Sequence, residues 1–165
     1  DQPRHDLHPH RRSRELEKGG AEGPSQTGAR ELRTALREAG VPCALVTMSY
    51  RELAQPVAEM APPDAFQVLV CGDEVERGPP PPPADLRAAQ RPALSVTRCA
   101  AIEDSPPGNA SARAAGAATL GVEAVVPVLP APGLSRTPSL ELVDVALLSR
   151  LVAGDVVDLM EDDAA

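Results

Sequence analysis

The sequence predicts an α/β domain on a doubly wound parallel sheet, and three observations carry that expectation. Short runs of consecutive apolar residues, at 41–47, 66–71, 99–102 and 119–122, have the character of strands covered on both faces. Stretches with apolar residues at helical spacing alternate with them. Capping or turn residues stand at the junctions, and strands alternating with helices at this spacing mean a parallel sheet.

The elements follow in order. Ala29, Leu32, Ala35, Leu36 and Ala39 predict a helix from Gly28 onward, with Gly40 where a left-handed C-terminal cap belongs. Residues 41–47 (VPCALVT) are the first strand. Ser49, with Glu52 three residues on, fits a capping box that opens a helix through Leu53, Val57 and Met60, and Pro56 should kink or shorten it. The second strand, 66–71 (FQVLVC), ends in Gly72-Asp73. Pro79 to Pro83 must be extended polyproline, and residues 85–90 suffice for one or two helical turns. The third strand, 99–102, ends on Glu103-Asp104, and Ser105 is placed to cap a helix over 108–115 that Gly116 closes. After the fourth strand at 119–122, a proline-rich connection (126–138) leads to a last helix at 143–151.

Residues 28–152 form the core in this reading, and 153–165 an acidic tail. Residues 1–27 have only Leu7 and Leu16 as sizeable apolar side chains, so they cannot bury enough surface to offset their ordering entropy and are expected to be disordered. His5, His8 and His10, and the nearby Arg11, Arg12 and Arg14, are best taken as parts of that solvated tail.

Composition narrows the partners. The net charge is −8 with a pI near 4.9, which disfavours nucleic acid and anionic membrane surfaces. No apolar run approaches the roughly 20 residues of a membrane span, and a cytoplasmic location is the plain expectation. One Phe, one Tyr and no Trp leave the core to Val, Leu and Ala, which predicts modest stability. Cys43, Cys71 and Cys99 lie singly beside or inside apolar runs, as small buried hydrophobes in a reducing compartment do. Lys18 is the only lysine.

In doubly wound sheets ligands sit beyond the carboxyl ends of the strands. The first strand ends in Thr47-Met48-Ser49, two hydroxyls beside a helix N-terminus, which can cradle a phosphate. Equally, Ser49 does no more than cap its helix, and the local sequence leaves the two open. At the third strand's end, Glu103 and Asp104 offer the hard oxygens that Mg²⁺ prefers. Acidic pairs are common on solvated loops. Here, however, Asp104 follows small apolar residues and precedes a Ser-capped turn, which places it at the mouth of the sheet.

Four segments, GARELRTALREAGVPCALVTMSYREL, VLVCGDEVERGPPPP, CAAIEDSPPGNASARAAGAATLGV and VVPVLPAPGLSRTPSLELVD, occur in the order found in haloacid dehalogenase-like hydrolases. Over residues 28–152 the chain resembles that superfamily, and within it the phosphatases and sugar phosphomutases similar to beta-phosphoglucomutase. IEDSPPG followed by ASARAAG is the most specific piece. The resemblance implies a Rossmann-like core and Mg²⁺-dependent phosphoryl transfer from a small phosphorylated metabolite through an aspartyl-phosphate. It gives the role of holding the phosphoryl group to Thr47, with Met48 and Ser49 beside it. Metal binding falls to Glu103 and Asp104, with Asp104 the direct ligand.

Two family elements have no counterpart in these residues. Nothing in residues 1–27 has the form of an apolar strand ending in the DxDGT nucleophile motif, and no cap domain intervenes before GARELR. The GKP lysine position holds Pro79, and Arg77 beside it is not equivalent to an ammonium. These residues are therefore expected to lack phosphatase activity alone. In the family fold the nucleophile strand lies between the strands ending at Thr47 and Asp104. Without it, either those strands pair directly or a cleft of unpaired backbone groups remains, inviting self-association or a strand-donating partner. A non-catalytic phosphate and Mg²⁺ binding module, and a half-enzyme completed by another chain, are the competing readings. An unrelated receiver-type domain is disfavoured, because its acidic residues would cluster near the N-terminus.

Overall fold

A computed structural model describes residues 28–59, 61, 65–71 and 95–160. The expectations for residues 1–27, the Gly72-Asp73 turn, the prolines at 79–83 and the helical turns at 85–90 lie outside the described residues.

Helix α1 (Ala29–Glu38) buries Leu32 and Leu36, the one-turn pair its apolar spacing predicts, and Gly40 takes the left-handed φ of 69° at its exit. Strand β1 (Ala44–Val46) and strand β2 (Val68–Val70) pair in parallel, Ala44 opposite Val68 and Val46 opposite Val70. Helix α2 (Arg51–Glu59) joins them and contains Pro56. Strands β3 (Ala100–Glu103), β4 (Ala118–Val122) and β5 (Leu134–Thr137) form a second parallel sheet in that order. Helix α3 (Pro106–Ala115) crosses from β3 to β4, and helix α4 (Val145–Val152) is the last helix among the described residues.

The main core gathers Leu32 and Leu36 of α1, Leu120 of β4, and Val143, Leu147, Leu148 and Leu151 around α4. A smaller cluster surrounds Val70, with Val46 and Val68 against it. Helix α1, although it leads into β1, therefore packs on the other sheet's core.

Several expectations are corrected. The first and second strands are three residues each, shorter than 41–47 and 66–71, and the third includes Glu103. The expected capping box does not form: the first amides of α2, from Leu53 and Ala54, donate to the Tyr50 carbonyl, so the helix is entered at Tyr50 instead of Ser49. The proline-rich connection contains β5, whose buried Ser135 and Thr137 disguised it as a loop. Those hydroxyls are satisfied, Ser135 Oγ accepting from the Val157 amide at 3.0 Å and Thr137 Oγ1 donating to the Ser139 carbonyl at 2.8 Å. The segment read as an acidic tail lies along β5 as far as Met160. There Arg136 N donates to Val157 O, Leu159 N donates to Arg136 O, and the Arg136 guanidinium grips Asp158 at 2.6 Å.

Of the two expected arrangements, direct pairing of the strands or a cleft between them, the structure has the cleft, but the coverage of its strands was overestimated. Strands β1 and β3 were expected to be covered on both faces, yet Ala44 and Ile102 are exposed. The two strands belong to separate sheets and do not pair. Cys43 O and Thr47 N bond to β2, and Cys99 O bonds to β4. Since backbone groups of successive residues in a strand point to opposite sides, Ala44, Val46, Ala100 and Ile102 turn theirs away from both partners. Between them lies a cleft of about 770 Å³, lined on one side by β1 and on the other by β3.

Candidate functional site

The site is built from two strand exits. Thr47 leaves β1 with its amide fixed on the Val70 carbonyl at 2.9 Å. Its Oγ1 accepts the Ser49 amide at 3.1 Å. A hydroxyl that accepts in this way keeps its own proton to donate, which suits it to an anionic oxygen. The Ser49 amide, expected to be free for a phosphate, is occupied by Thr47 instead. Met48 is exposed, so its backbone and not its side chain is the part suited to an anion.

The second exit is governed by the start of α3. Ser105 is its N-cap, with Oγ accepting from the Gly108 amide at 3.1 Å. Pro106 and Pro107 carry no N–H, and the Asn109 amide is bonded to the Ser105 carbonyl. No amide of that first turn is left for an external anion. The Glu103 carboxylate lies there instead, against Gly108, where a Cβ would run into its Oε2. That position also places its charge at the positive end of the helix dipole. Asp104, the next residue, is exposed and makes no side-chain hydrogen bond among the described residues.

The two carboxylates therefore differ in surroundings. Glu103 lies against the helix terminus, while Asp104 is exposed to solvent. Among the described residues no three His, Cys, Asp and Glu side chains converge on one point. The donors present fit one hard-oxygen ligand to a Mg²⁺ that keeps several waters; they do not form a full protein cage. Pro79, the position matched to the family lysine, lies outside the described residues.

Three residues near these elements were not singled out from the sequence. Gly108 matters because only a residue without a side chain admits the Glu103 carboxylate. Asn109 is buried beneath Gly121, with an Oδ1 that has no partner. Arg33 lies in the cleft wall, 5.6 Å over the Phe66 ring, and its Nε is buried without a hydrogen-bond partner. No spacing in the sequence singles out any of them. No helix among the described residues is long and apolar enough to cross a membrane.

A doubly wound α/β core with a hydroxyl at one strand exit and paired carboxylates at another defines the class of fold and site. The particular lineage follows from comparison with known proteins. A family model described as haloacid dehalogenase-like hydrolase matches residues 8–116, and the chain belongs to that family. The match starts inside the stretch that the sequence suggested was an unstructured tail. Hexitol phosphatase A of Escherichia coli (strain K12) is 35% identical over 122 residues, covering 74% of this chain and 52% of that protein. Protein CbbY of Rhodobacter capsulatus is 39% identical over 93 residues, covering 54% of this chain and 41% of that protein. Among solved structures, a HAD hydrolase of family IA, variant 3, from Entamoeba histolytica HM-1:IMSS superposes with a TM-score of 0.67 at 22% identity. It covers 76% of this chain and 60% of that one, and supports the fold alone. The chain spans about half the length of the hexitol phosphatase it matches, 52%.

Proposed function

We propose that these residues form the phosphoryl-holding and metal-binding half of a Mg²⁺-dependent phosphatase acting on a small phosphate monoester. The observation that carries this reading is the Thr47 hydroxyl, which accepts the Ser49 amide and keeps its proton for a ligand, on a family fold that also presents Asp104. Similarity to a protein named as a hexitol phosphatase supports the substrate class.

In this reading Thr47 donates to a phosphoryl oxygen, and the Met48 backbone lies beside it. Asp104 is the direct metal ligand, and Glu103, tied to the start of α3, fixes the loop that presents Asp104. The Mg²⁺ supplies positive charge that neutralises the phosphoryl oxygens. A nucleophilic carboxylate and a family lysine are not among residues 1–165 in the pattern the family uses, since Pro79 stands at the lysine position. The 165 residues therefore bind without turning over.

Hydrolysis of p-nitrophenyl phosphate tests this directly. The expected result is no Mg²⁺-dependent turnover above that of Asp104→Asn. Turnover that requires Mg²⁺ and disappears in Asp104→Asn contradicts the assignment of these residues as a binding half.

A further inference from the structure

The proline-rich connection runs from the end of β4 to the start of β5, and the phosphate reading makes no use of it. Its residues 125–132 (VVPVLPAP) carry Pro127, Pro130 and Pro132. Proline fixes its own φ at about −65°, and its ring drives the residue before it into the extended region. Val126, Leu129 and Ala131 are the residues so driven. Six of the seven residues from 126 to 132 are thereby restricted towards polyproline II geometry, Val128 being the exception.

Burial follows that geometry. A polyproline II helix has about three residues per turn, so every third side chain shares a face. From Val126 onward, Val128 and Leu134 are buried and Ala131 is half-buried, whereas Val126, Pro127, Leu129 and Pro130 are exposed. One face therefore lies on the protein and two are open. Val128 is seated because Gly121 of β4 has no Cβ where the Val128 Cγ1 rests. Arg136 Nη1 donates to the Val128 carbonyl at 2.9 Å, and Arg113 Nη2 donates to the Pro132 carbonyl. The Leu134 amide donates to the Ala131 carbonyl across a turn with Pro132 and Gly133 at its centre, where Gly133 takes a φ of 72°. The segment is thus pinned along its length, and it holds Leu129 75% exposed.

The open faces present two pairs, Val126-Pro127 and Leu129-Pro130, about one polyproline turn apart. Grooves lined by aromatic rings read polyproline II segments of this Pro-x-x-Pro form. A second copy of this chain offers one Phe, one Tyr and no Trp, too few for such a groove, so the groove belongs to another protein. Because the segment already holds the extended form, little ordering entropy opposes docking.

We propose that residues 126–130 are a docking motif for an SH3-type domain, whose aromatic-lined groove takes Val126-Pro127 and Leu129-Pro130.

The test titrates the isotope-labelled 165-residue protein with an isolated SH3 domain that reads uncharged Pro-x-x-Pro cores, followed by NMR. The expected result is saturable shifts centred on the amides of Val126, Val128, Leu129 and Ala131. The double variant Pro127→Ala/Pro130→Ala and the single variant Leu129→Asp alter exposed side chains only. Each should keep the parent's circular dichroism and bind the SH3 domain roughly tenfold or more weakly. An absence of shifts, shifts centred on the proline run at 79–83, or binding unchanged in both variants overturns the proposal. So do shifts at 126–131 that grow with protein concentration without the SH3 domain, which would make a second copy of this chain the occupant.

Discussion

Gly108→Ala places a methyl group where the Glu103 carboxylate rests. The new Cβ would collide with Glu103 Oε2 and stand 2.9 Å from Ser105 Oγ. Replacing glycine by alanine inside a helix favours the helix by about 1 kcal/mol. Against that, the carboxylate must swing away from the α3 N-terminus, losing about 0.3–1 kcal/mol of dipole interaction. Pressure on the Ser105 cap puts at risk part of the ~1 kcal/mol that such a cap contributes. The losses thus largely offset the gain, and the single variant should lie within about 1 kcal/mol of the parent. In a Glu103→Ala background the main obstacle is gone, and the same substitution should stabilise by about 0.5–1 kcal/mol. Urea unfolding of the four proteins measures the coupling, expected near 1 kcal/mol. Additivity within about 0.5 kcal/mol would refute the placement of Glu103 on the helix terminus.

Further outcomes follow from the same contacts. Leu120→Ala, at the most deeply buried leucine of the main core, should cost about 2–5 kcal/mol in urea unfolding. The Arg136 hydrogen bonds hold the Asp158 carboxyl below its ordinary pKa of 3.8, while slight burial opposes them. A depressed carboxylate pKa contributes stability above the ordinary value and loses it as pH falls through the folded one. Residues 155–160 should therefore lose amide protection below about pH 4, and Asp158→Asn should remove that pH dependence. Burial pushes the Cys43 and Cys99 thiols above their ordinary value of 9.0, more than Arg33 and Arg98 respectively pull them down. Their alkylation rates should still be rising at pH 9, whereas a plateau below that pH would contradict the burial.

The sequence displayed those parts of the fold that rest on local rules. Helix α1 and its Gly40 exit, Ser105 at the N-cap of α3 and Gly116 at its end were legible because caps and apolar periodicity act within a few residues. Strand β5 was hidden because its buried positions are Ser135 and Thr137, polar residues made acceptable by partners far along the chain. The order along 155–160 was hidden for the same reason, since Asp158 reads as acidic tail until Arg136 is placed beside it. At the site, the residue types at Thr47, Glu103 and Asp104 were visible. The different surroundings of the two carboxylates were not, because Gly108 makes room for Glu103 through space. Ser49 shows the reverse: a plausible capping residue whose amide is taken by the threonine two positions before it.

The central claim is that Thr47 and Asp104 present a phosphoryl group and Mg²⁺ to one another. Calorimetric titration of inorganic phosphate, with and without Mg²⁺, tests it most directly. If the two ligands meet, each must raise the affinity for the other by the same factor. The account predicts that reciprocal enhancement in the parent protein, its loss in Asp104→Asn, and phosphate binding weakened about tenfold in Thr47→Val, the loss of one charge-assisted hydrogen bond. Phosphate binding that is indifferent to Mg²⁺ and unchanged in both variants would contradict it.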